Sequence, residues 1–218
     1  MLQKLNAGIL PHFSQESSTF EHRGTFYQLL CKNACDFANV PYASIGESPT
    51  SREIITLNPK NSPFLDHLYT KFKKELAKRA HLPLKEKWKF ILYYVKYELF
   101  SFVDESLCNA FVRQWIEAHS IENFTETSNH FFLPVIPLED FIKAKVGLCR
   151  HLTLTTAYLI DRLLKEASPL LPKGNIFYIR EKIAIGENWV GHAWNLFVDQ
   201  ESGLSWHLDP TLQNMDKY

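Results

Sequence analysis

Through the middle of the chain, apolar residues recur at helical spacing. Ser62-Pro63 reads as a cap followed by proline at the first helical position. Leu65, Leu68, Phe72 and Leu76 then fall on one face, with a solvated Lys-rich remainder (Lys71, Lys73, Lys74, Lys78, Arg79) opposite. After Pro83, the spacing of Trp88, Ile91, Leu92, Val95 and Leu99 predicts a second helix to about Phe102, and a third is expected from Asp104 to His119. Ser120 to Asn129 is a polar loop, and Leu133-Pro-Val-Ile-Pro-Leu138 enters the next helical stretch through two prolines. Residues 147–167 read as one helix with Leu152, Thr155/Thr156, Leu159 and Leu163 on its buried face, and with Gly147 and Cys149 at its N-terminal end.

From Asn175 the period changes to that of strands: Ile176 to Arg180, Gly191 to Asp199 and Leu204 to Thr211, the last two joined by a turn at Gln200-Glu-Ser-Gly203. The first 60 residues, punctuated by Pro11, Gly24, Pro41, Gly46, Pro49 and Pro59, read as irregular, with a short helix around Thr25 to Phe37. The expected organisation is an irregular N-terminal extension, 1–60, packed on a domain of residues 61–218.

Composition narrows the class. A chain of 218 residues with 45% hydrophobic and 14% aromatic residues must bury much of its apolar surface, which excludes a disordered chain. Lys plus Arg and Asp plus Glu are both 24, so no overall field draws the protein to nucleic acid or an anionic membrane. Apolar runs such as Phe90 to Val95 are far shorter than the roughly 20 residues a spanning helix needs. Four cysteines, at 31, 35, 108 and 149, are too few for a disulfide scaffold and predict a reducing, cytoplasmic setting.

Cys149 stands out chemically. A thiol attacks as its thiolate, which a helix N-terminus and a neighbouring imidazolium both favour. Such chemistry also needs a histidine that can protonate the leaving group and a third group that holds its ring. His192 and Asp209 are candidates because of strand parity. If the hairpin closes with a two-residue loop they lie directly opposite; with a four-residue loop they are diagonal neighbours on the same face. A three- or five-residue loop separates them. Parity also puts Trp194 beside His192 and Trp206 behind them.

Val146-Gly-Leu-Cys-Arg-His151, Gly191-His-Ala-Trp-Asn195 and Trp206-His-Leu-Asp-Pro-Thr211 together resemble the three core blocks of transglutaminase-like proteins, in order and in spacing. The resemblance covers roughly residues 84 to 211. It implies an α+β, papain-like core with helices packed on a small antiparallel sheet. It also implies a nucleophile, Cys149, a base, His192, and an orienting carboxylate, Asp209, working through a thioester on a protein or peptide substrate. Members of this family cleave, deamidate or transamidate amide bonds. Where family domains continue into further strands this chain ends at Tyr218, so the sheet is expected to be small or the natural protein longer.

Trp194 and Trp189 are the expected substrate-binding residues, Trp189 also as a second oxyanion donor. Arg150 and His151 are expected to be structural, since successive helical side chains point about 100° apart. No cofactor and no metal are expected, and the oligomeric state stays open. Two alternatives remain: a catalytically silent binding or regulatory module of the same fold, and a zinc site drawn from Cys149, His151, His192, His207 and Asp209. Cys31 and Cys35, four apart, suit a metal or two buried thiols.

Overall fold

The computed structural model describes residues 19–30, 33–34, 36–45, 53–119, 124–126, 132–185 and 188–217. Their fold class is α+β, with five α-helices and two sheets.

Strand β1 (Thr19–His22) turns at Arg23-Gly24 into β2 (Thr25–Leu29), and β3 (Asn33–Ala34), β4 (Tyr42–Ile45) and β5 (Ile54–Leu57) follow. Both turn residues have positive φ, 51° and 71°, which is the geometry that closes a two-residue hairpin. The expected helix from Thr25 to Phe37 is therefore wrong, and the stretch thought irregular contributes five strands. Thr25-Phe-Tyr-Gln-Leu is β-branched and aromatic, and it alternates: Phe26 is exposed while Tyr27 is buried. Strand β5 is buried at every residue, because β4 flanks it on one side and β7 on the other.

The helices follow the apolar spacing. Helix α1 (Pro63–Ala77) starts at Ser62, whose hydroxyl accepts the Leu65 N–H at 3.1 Å. Helix α2 (Leu84–Tyr93) runs on into a π-helical turn, Tyr94–Leu99, and α3 (Glu105–Ala118) is capped by Asp104. The Leu133–Leu138 segment does enter a helix, but as a strand: β7 (Phe132–Pro137) pairs with β6 (Phe124–Glu126) and leads straight into α4 (Leu138–Ala144). The rest of the expected loop 120–129 lies outside the described residues.

Helix α5 (Cys149–Lys165) precedes a meander of β8 (Gly174–Ile185), β9 (Asn188–Asp199), β10 (Ser205–Asp209) and β11 (Asn214–Lys217). One sheet has the order β1-β2-β4-β5-β7-β6 and the other β11-β10-β9-β8-β3. Every residue of α5 from His151 to Asp161 is buried, so this helix is enclosed on all sides rather than amphipathic at the surface. It packs on β8 and β9, where Ala193, Phe197, Ile176 and Tyr178 meet its leucines. Thr153 Oγ1 donates to the Ala193 carbonyl at 2.9 Å, which removes the cost of a hydroxyl on that dry face. No helix among the described residues is long and apolar enough to cross a membrane.

Candidate active site

Cys149 is the first residue of α5, where backbone N–H groups have no partner inside the helix. The cap residue is Leu148, which has no oxygen to offer. His151 supplies a capping contact instead, its Nδ1 accepting the Leu148 N–H at 3.0 Å. The chain enters the helix along the 100–104 segment: Phe102 N–H donates to the Lys145 carbonyl at 3.1 Å, and Gly147 N–H donates to the Phe102 carbonyl at 3.2 Å. Gly147 is required there, since a Cβ would lie 2.7 Å from the Phe100 ring.

The hairpin loop has four residues, because Asp199 N–H meets the Leu204 carbonyl and Ser205 faces Val198. This is the diagonal arrangement. His192 Nε2 and Asp209 Oδ2 are 2.6 Å apart, and the Asp209 side chain is 1% exposed. Oδ1 of Asp209 accepts the N–H groups of Thr211 and Leu212 at 2.8 and 3.0 Å. Lys96 in the π-helical turn fixes the same loop by donating to the Thr211 carbonyl at 2.6 Å. With Nε2 committed to Asp209, the other ring nitrogen is left for the Cys149 thiol, which is hydrogen bonded to His192 and receives the Ala193 N–H. The three residues expected to form the site are thus together.

Electrostatics follow from that geometry. Burial acts most strongly on the Cys149 thiol and opposes its ionisation, yet His192, the Ala193 N–H and the Arg150 charge together outweigh it and hold the thiol below its usual value. Asp209, then Cys149, raise His192 to about 10 against the pull of burial. Burial pushes the Asp209 carboxyl up, but His192 and the two N–H groups more than offset it, so Asp209 sits below the ordinary carboxylate range. All three effects favour a thiolate–imidazolium pair.

Trp194 lies on the His192 face, its indole N–H donating to Glu181 at 2.6 Å and its ring meeting His207 edge-on at 4.3 Å. Trp206 is buried on the opposite face, paired with Phe197. The side chain of Trp189 is outside the described residues, as are Cys31 and Cys35. Neither Cys108 nor Cys149 is in a disulfide. His151 is buried and Arg150 half-buried, both against Glu53.

The zinc alternative fails on direction: His192 points its Nε2 to Asp209 while His151 turns to Glu53. Glu53, Cys108 and His151 do bring ligand atoms within 4.8 Å of one another. Arg150 already occupies the Glu53 carboxylate, and the His151 proton resides on Nε2, because Nδ1 is the acceptor for Leu148. That proton points where an ion would sit, so these residues do not suit a metal.

Sequence reasoning missed Glu53, Lys96 and Tyr178. Tyr178 is fully buried on β8 and is pushed up to about 12, first by burial and also by the nearby Cys149 charge. No local motif marks these residues. No protein-family model, curated protein or solved structure matches the chain.

Proposed function

We propose that this protein is a cysteine-dependent amide-bond hydrolase or acyltransferase with a papain-like, transglutaminase-like site. The observation that carries the reading is the 2.6 Å contact between His192 and Asp209, with the His192 ring also bonded to a thiol at a helix N-terminus. The Cys149 thiolate attacks a carboxamide carbon of a protein or peptide. His192 gives its proton to the leaving nitrogen as the C–N bond breaks, and a thioester remains. Water or a primary amine then attacks the thioester, returns a proton to His192 and releases Cys149 as the thiolate. Backbone N–H groups at the head of α5 are suited to the oxyanion.

The test is incubation with a glutamine peptide, with and without a primary amine, followed by mass spectrometry. Hydrolysis or amine incorporation that disappears in Cys149→Ala is expected. Iodoacetamide should also label Cys149 far faster than Cys108 at neutral pH. Equal labelling rates together with no product would leave the silent binding module as the better reading.

A further inference from the structure

A carboxylate from a distant part of the chain meets the two residues that follow Cys149. Glu53, the residue before β5, is 1% exposed at its side chain, and its carboxylate pairs with the Arg150 guanidinium. His151, wholly buried, holds Nε2 at 3.6 Å from the same Glu53 oxygen, and its ring packs 4.1 Å from that of Phe141. Because Nδ1 accepts from Leu148, the ring proton lies on Nε2 and faces the carboxylate. Arg150 and His151 are the second and third residues of α5. The Glu53 carboxylate therefore pairs with the first residue after Cys149 and lies 3.6 Å from the second, whose Nδ1 holds the cap before the nucleophile.

We propose that Glu53 is a positioning residue for Cys149, tethering the first turn of α5 and neutralising the guanidinium beside the thiol, so that it sets how strongly Arg150 favours the thiolate. The inference rests on the reading of Cys149 as nucleophile. Burial works against the Arg150 charge, but Glu53 more than compensates, and that charge in turn favours the Cys149 thiolate. The titratable and charged groups about the thiol are His192 and Asp209 from β9 and β10, Tyr178 from β8, Arg150 on α5 itself and Glu53 before β5, with Cys108 of α3 and His151 of α5 standing about Glu53 in turn. Of these, Glu53 reaches the sulfur through Arg150.

The test follows the iodoacetamide rate at Cys149 against pH in the full chain, by peptide mapping. In Glu53→Gln, which keeps the shape but leaves the guanidinium uncompensated, the midpoint of the thiol titration should move down by roughly half to one pH unit. In Arg150→Met it should move up. The double variant should show the Arg150→Met midpoint, since without the guanidinium Glu53 has nothing to act through. A folded Glu53→Gln variant whose midpoint stays or rises overturns the inference. So does a double variant whose midpoint differs from that of Arg150→Met, a comparison that decides the matter if Glu53→Gln alone does not fold. Labelling of Cys149 no faster than Cys108 in the unaltered chain would sink the nucleophile reading. A fast Cys149 indifferent to Glu53 sinks this inference alone.

Discussion

Asp209 uses both of its carboxylate oxygens, one for His192 and one for the backbone of the turn that follows. It therefore shapes the loop as well as the imidazole. Since Asp209 is the largest influence raising His192, activity should follow a bell-shaped pH profile. The acid limb should lie below the ordinary thiol value and the basic limb near 10, where His192 loses its proton. In Asp209→Ala the basic limb should move down toward the ordinary histidine value and kcat/KM should fall by about 10²- to 10⁴-fold, as measured by rates across pH. A basic limb left in place would show that Asp209 does not govern the ring. Cys149, His192 and Asp209 were legible in the sequence because each sits in a short block whose helix or strand could be read locally. Glu53 was not, because its partner Arg150 is 97 positions away and a lone glutamate before an apolar run gives no sign of burial. Lys96 was hidden for the same reason, reaching 115 positions to Thr211.

At the scale of elements, the helices were legible and the N-terminal strands were not. Helices α1, α2 and α3 declare themselves through apolar stripes, α1 and α3 also through their caps, and α5 through a long run at helical spacing. The early strands have at most five residues each, too few for a period to show, and the positive φ of Arg23 carries no sequence signal. The π-helical turn was equally hidden, since Val95 and Leu99 fit either helical pitch. Ser62 is the clearest energetic handle at this scale. Its hydroxyl accepts from Leu65 and donates to Glu139 of α4, so it caps one helix and joins it to another. Ser62→Ala should cost about 1–2 kcal/mol, read as a lower melting temperature or denaturant midpoint without a change in slope. A loss below about 0.3 kcal/mol would mean that neither bond contributes net stability.

For the molecule as a whole, the two sheets and the buried helix between strands and helices make stability sensitive to acid. Burial, then the Arg150 charge, holds His151 well below its ordinary value of 6.5, so the folded chain keeps this ring neutral. The unfolded chain binds a proton there below that pH. The unfolded state then carries more protons, and stability falls as pH drops below about 6.5. Melting temperature should decline between pH 7 and 5, and less steeply in His151→Gln; an equal slope would assign the acid sensitivity to other groups. The overall α+β class was visible from the change of period near Asn175. What the order of residues did not disclose was that β3 joins one sheet while β4 and β5 join the other, because pairing over such separations depends on the assembled whole rather than on any local preference.

The sulfur of Cys149 depends on company from nearly every layer: its own helix, the Ala193 N–H and His192 of β9, Asp209 of β10 and, by way of Arg150, a residue at the edge of β5. Heating that frees any one of those layers should slow its labelling before the chain as a whole melts. A trapping reagent followed along a temperature ramp would then serve as a local thermometer, reporting which seam of the protein opens first.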